Sequence, residues 1–76
     1  MDIRRRVGLN LQRLRHEKEW SQEKLNFESG VHRTYISGIE RGVRNPTLTN
    51  LHKLAKALEV PLGALVDPPP RKRSTN

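Results

Sequence analysis

The chain predicts an all-α domain of five short helices, on three observations. Apolar residues recur at spacings of three and four, at Ile3, Val7, Leu11 and Leu14 and again at Leu48, Leu51, Leu54, Ala55 and Leu58. That is the period of a helix with one buried face. No segment reads as a strand. Capping and breaking residues (Asp2, Ser21, Gly30, Gly42, Thr47 and Pro61) fall between the periodic runs, where helices start and stop.

Taken in order, Ile3 to about Lys18 is the first helix, with Asp2 as its N-cap. Leu9 lies off its apolar stripe, and Arg4-Arg5-Arg6 faces mainly outward. Ser21 caps a second helix, about Gln22–Glu28, with Glu23 in the dipole-favoured first turn and Leu25 inward. Lys24 stands where a capping box would want Glu or Gln. Gly30 occupies the left-handed position after that helix. A third helix runs from about Arg33 to Glu40, with Val31, Ile36 and Ile39 toward the core and Gly42 closing it. Neither Val31 nor His32 is a strong cap, so free N–H groups are expected at its start. Pro46 holds Asn45 extended, and Thr47 caps a fourth helix, about Leu48–Leu58, with all five of its periodic apolar residues inward. Pro61 opens a fifth, Pro61–Leu65, returning Leu62 and Leu65 to the core. Residues 1–67 form the domain. Residues 68–76, PPPRKRSTN, have nothing apolar to bury and are expected to be a disordered basic tail.

Seventy-six residues allow one small, lean core. There is no Cys, which removes disulfides and thiolate metal sites and agrees with a cytoplasmic location. No run approaches the ~18–20 apolar residues of a membrane span, and MDIRRRVGLN lacks the apolar segment of a secretory signal. Fifteen Lys and Arg against eight Asp and Glu give a net charge of +7, and ten of the fifteen are Arg. Twelve basic and seven acidic side chains fall within residues 1–66, so the tail does not account for the excess. Such a balance fits a polyanionic partner or simply a solubilising charge.

Little points to catalysis. His16, His32 and His52 are scattered, no carboxylate sits at metal-ligand spacing, and the glycines stand singly around helices rather than in a phosphate loop. No enzyme activity, metal or cofactor is expected. What remains is the exposed face of the third helix. A helix fits the major groove of B-DNA, and residues near its start reach base edges. Here these are His32, Arg33, Thr34 and, one turn on, Ser37. Arg33 suits guanine O6 and N7, while Thr34 and Ser37 can hydrogen-bond or touch a thymine methyl. The same four residues would also serve as plain solvent-exposed polar surface.

The motifs Arg13-Leu14-Arg15, SQE at Ser21–Glu23, SG at Ser29-Gly30, RTYIS at Arg33–Ser37, IERG at Ile39–Gly42, RNP at Arg44–Pro46 and LxxLAxAL at Leu51–Leu58 occur in one order. In that order the chain resembles the lambda Cro/phage repressor-like helix-turn-helix family, also called the Xre family, over about Val7 to Val66. RTYISGIERGVRNPT looks most like short regulators such as restriction–modification controller proteins. The resemblance implies a compact five-helix lambda-repressor-like domain that binds double-stranded operator DNA as a homodimer on an inverted repeat. It implies that Arg33 and Thr34 read bases, with Ser37 on the same face. It assigns Gln22, Tyr35, Arg41, Arg44 and Asn45 to the DNA backbone, and pairs Arg15 with Glu40 to fix the third helix. Two departures stand out. Asn26 replaces the usual Ala where the two motif helices pack closest; pointing inward, its amide would need partners or cost roughly 1–3 kcal/mol. Gly38 stands where some relatives carry a further base-reading side chain. The alternative from another class is an antitoxin-like or bridging module for a protein partner, using Phe27, Leu9 and the surface of the fifth helix.

Overall fold

The computed structural model describes residues 2–69. Its elements are α1 (Ile3–Glu17), α2 (Gln22–Ser29), α3 (Arg33–Glu40), α4 (Leu48–Leu58) and α5 (Gly63–Val66). The described residues contain no strand. The expected tail falls mostly outside them, at residues 70–76.

Helix starts follow from short polar side chains. Asp2 accepts from the Arg4 N–H at 2.8 Å, Ser21 from the Lys24 N–H at 3.0 Å and Thr47 from the Asn50 N–H at 3.1 Å. Each satisfies one donor that the helix itself leaves open. The start of α3 departs from expectation: His32 caps it, its Nδ1 accepting from the Thr34 N–H at 3.1 Å. Histidine is rarely credited as a cap, but an imidazole nitrogen without a proton is an acceptor at similar reach.

Three helices end in the same hydrogen-bonded reversal. After α3, the Gly42 N–H donates to Ile39 O at 2.9 Å and the Val43 N–H to Gly38 O at 3.1 Å, with Gly42 at φ 77°. After α1 and α4 the left-handed position is filled by Glu19 and Glu59, each at φ 60°. Gly30 after α2 stands at φ 78°.

The core consists of Val7, Leu11, Leu14, Leu25, Val31, Ile36, Ile39, Leu51, Leu54, Ala55, Leu58 and Leu65. Full burial of each of the eleven Val, Leu and Ile side chains contributes about 1.5–3 kcal/mol. α1 packs on α3 and α5, and α2 packs on α3 and α4. Contact between α1 and α3 is close enough to exclude a side chain at Gly8. A Cβ there would collide with Ile39 O and lie 2.9 Å from Glu40 O.

Two periodic residues are not in the core. Ile3 is 52% exposed and Leu48 70%. Both open their helices at the rim of the bundle. At 100° per residue, Leu48 also points about 70° away from the mean direction of Leu51, Leu54, Ala55 and Leu58. The fifth helix starts later than Pro61. Pro61 and Leu62 form the preceding turn, with Pro61 O accepting from the Ala64 N–H and Leu62 O from the Leu65 N–H, both at 2.9 Å. Leu65 is buried while Leu62 is half-buried. Asn26 is half-buried, and no fully buried side-chain polar atom lacks a partner among the described residues. The packing cost feared for its amide is therefore not incurred.

Candidate nucleic-acid interface

α2, the Gly30 turn and α3 form a helix-turn-helix, and α3 turns one side outward. Eight residues give α3 a length of roughly 12 Å, suited to a groove of similar width. Ile36 and Ile39 are fully buried and fix which side that is. His32, Arg33 and Thr34 are exposed and Ser37 is half-exposed, so the four candidate reading residues share the outer face. His32 is distinct within the set, because its Nδ1 is engaged in the cap.

The charge of this face depends on what happens to Glu40, the only acid between Arg33 and Arg44. Its carboxylate is turned inward and filled. Arg15 Nε donates to Oε2 at 2.7 Å, Arg15 Nη2 to Oε1 at 2.9 Å, and Gln22 Nε2 to Oε1 at 3.0 Å. Arg15 Nη1 also donates to Trp20 O at 2.7 Å. The acid is neutralised by a buried guanidinium, leaving Arg33, Arg41 and Arg44 on the outside with no acidic partner among the described residues. One network thus joins the start of α2, the end of α3 and the last turn of α1.

A second grouping lies across α3. The Arg44 guanidinium sits 5.4 Å from the centre of the half-buried Tyr35 ring, a cation–π approach. Arg41 and Asn45 are exposed and make no side-chain hydrogen bond among the described residues. Asn45 instead borders a crevice of about 100 Å³ with Ile3, Arg4, Val7, Pro46, Leu51 and Val66. The structure therefore brings together Arg15, Gln22 and Glu40, and separately Tyr35 and Arg44. Arg33, Thr34, Ser37, Arg41 and Asn45 make no side-chain hydrogen bond among the described residues.

Sequence reading passed over two residues that hold this face in place. Gly8 permits the α1–α3 approach. Asn10, 1% exposed, donates through Nδ2 to Leu65 O at 2.9 Å and to Asp67 O at 2.8 Å, tying the end of α5 to α1. A signal for Asn10 existed. It lies three residues after Val7, on the apolar stripe, where a polar residue must find buried partners.

Comparison with known proteins agrees with this architecture. The Helix-turn-helix family model matches residues 11–65. The control protein C.BamHI of Bacillus amyloliquefaciens is 49% identical over 67 residues, 87% of this chain and 83% of its own. The restriction-modification controller protein C.AhdI from Aeromonas hydrophila superposes with a TM-score of 0.79 at 45% identity, covering 82% of this chain and 94% of that one. The controller protein C.Esp1396I, solved as a tetramer in complex with its natural 35 base-pair operator, matches with a TM-score of 0.75 at 41% identity, over 80% of both chains. The chain belongs to the helix-turn-helix family of Cro/C1 type.

Proposed function

We propose that this protein is a sequence-specific DNA-binding transcriptional regulator that binds an inverted-repeat operator as a homodimer, with α3 in the major groove. The observation that carries the reading is the α3 face itself: Arg33, Thr34 and Ser37 outward, the one nearby acid locked away by Arg15. Arg33 and Thr34 read base edges, with Ser37 and the ring of His32 alongside. Gln22, Tyr35, Arg41, Arg44 and Asn45 meet phosphates and set the register. Gln22 spends one amide N–H on Glu40 and keeps the other for the DNA backbone. The half-buried Leu62, Ala64 and Val66 of α5 and its approach form the dimer contact. Two copies would then place their recognition helices about 34 Å apart, one turn of the duplex. Complex formation by C.Esp1396I with its operator supports the DNA partner.

Selection of bound duplexes from a random pool tests this directly. A palindromic consensus is expected; recovery of no preferred sequence overturns it. One observation favours a second reading, a module for a protein partner: Phe27 is 81% exposed on α2. A stoichiometric partner protein, found without any sequence-specific band shift, would select that reading instead.

A further inference from the structure

Gly38 is a buried glycine in the body of α3. Its backbone does not demand glycine, since only Gly30 and Gly42 among the described glycines have positive φ. Helix propensity argues against it, because alanine is the better helix former. The remaining reason is space, and the space is taken by one side chain. A Cβ at position 38 would overlap Arg44 Cγ and stand 3.3 Å from Nε and 3.4 Å from Cδ of the same residue. The arginine stem runs across the glycine and brings its guanidinium to the Tyr35 ring. The reversal at Gly42 and Val43 turns the chain back so that this crossing is reached.

We propose that Gly38 is a positioning residue for DNA binding. Its missing side chain is the track along which Arg44 crosses α3 and stacks on Tyr35. The loop guanidinium is thereby held at the edge of the recognition helix before a phosphate arrives. A free arginine must surrender its rotamer freedom on gripping DNA; a stacked one has surrendered much of it already. The inference rests on the DNA-binding reading above.

The test is a cycle of Gly38→Ala, Arg44→Ala and the double variant in the full chain. Each is titrated against the selected duplex at several salt concentrations and melted by circular dichroism. Gly38→Ala should melt close to the wild type, because the better helix propensity of alanine offsets the shift it forces on the Arg44 stem. It should nevertheless bind roughly two- to tenfold more weakly. With two copies on each operator, Arg44→Ala should flatten the slope of log K against log salt by about 1.8, one phosphate contact being lost in each half-site. With Arg44 already removed, Gly38→Ala should change binding no further. A merely structural glycine would weaken both backgrounds alike, and that result overturns the proposal. Undiminished binding by Gly38→Ala, or failure of that variant to fold, also overturns it. If the wild type itself selects no duplex, the functional reading fails first, which is a distinguishable result.

Discussion

Arg15 and Glu40 meet edge to edge, with Nε 2.7 Å from one carboxylate oxygen and Nη2 2.9 Å from the other, and their side chains are only 9% and 4% exposed. The pair spans from α1 to the last residue of α3 and so sets the angle at which the recognition helix leaves the core. Such a pair contributes little relative to an apolar replacement, but breaking it strands a buried charge. Glu40→Ala should therefore destabilise the domain by about 3–5 kcal/mol, while Arg15→Met with Glu40→Leu loses less than either single change. Urea unfolding of Glu40→Ala, of the two single changes and of the double variant measures this; an additive double variant would contradict it.

Arg33→Ala should cost about 1–3 kcal/mol of binding per half-site and relax preference at one base position in each half-site. Repeating the pool selection with the variant shows whether one symmetry-related pair of columns in the consensus degrades. An equal loss on every sequence would remove Arg33 from the reading set.

Asn10→Ala removes the donor from two carbonyls at the end of α5, and should destabilise by about 1–3 kcal/mol. Because α5 is the proposed dimer contact, the dimer fraction in sedimentation should fall as well. An unchanged dimer would separate that contact from α5.

Glu59→Gly should stabilise the domain by about 0.5–1 kcal/mol, since it relieves a left-handed non-glycine residue. It forfeits a 3.5 Å bridge from Lys18 to an exposed carboxylate, which lies at the weak end of the roughly 0–1 kcal/mol range for surface pairs. A lower melting temperature would show that the bridge outweighs the backbone.

The Asp2 carboxyl is held below the ordinary carboxylate range, first by the Arg4 side chain and then by the Arg4 backbone N–H. A depressed folded pKa means that Asp2 supports folding above the ordinary range and ceases to do so as pH falls through the folded value. In an NMR titration its midpoint should lie below that of a model peptide. Arg4→Ala should raise the midpoint only partly, because the backbone donor stays.

Much of this was legible in the chain. The caps at Asp2, Ser21 and Thr47, the turn glycines Gly30 and Gly42, the bounds of α3 and α4, and the buried Ile36 and Ile39 all follow from local rules. These rules work because capping and helical period involve residues within four positions of one another. Leu48 and Ile3 failed the same reasoning, since period says which side a residue faces but not whether a neighbour reaches that far. His32 failed because its cap is a matter of ring orientation rather than residue class.

By itself the sequence determined five helical segments, a basic chain with one polar face on its third helix, and, through ordered motifs, the family. Only the tertiary structure decided that Gly8 admits the α1–α3 crossing, that Asn10 holds α5, and that Gly38 lies beneath Arg44. It also decided that Glu40 is taken up by Arg15 and Gln22 rather than facing the bases. These are pairings between residues brought together by packing, 6 to 57 positions apart in the chain. Hydrogen bonds and steric exclusion act over a few ångströms of space, and no local pattern of residues encodes who will stand at that distance.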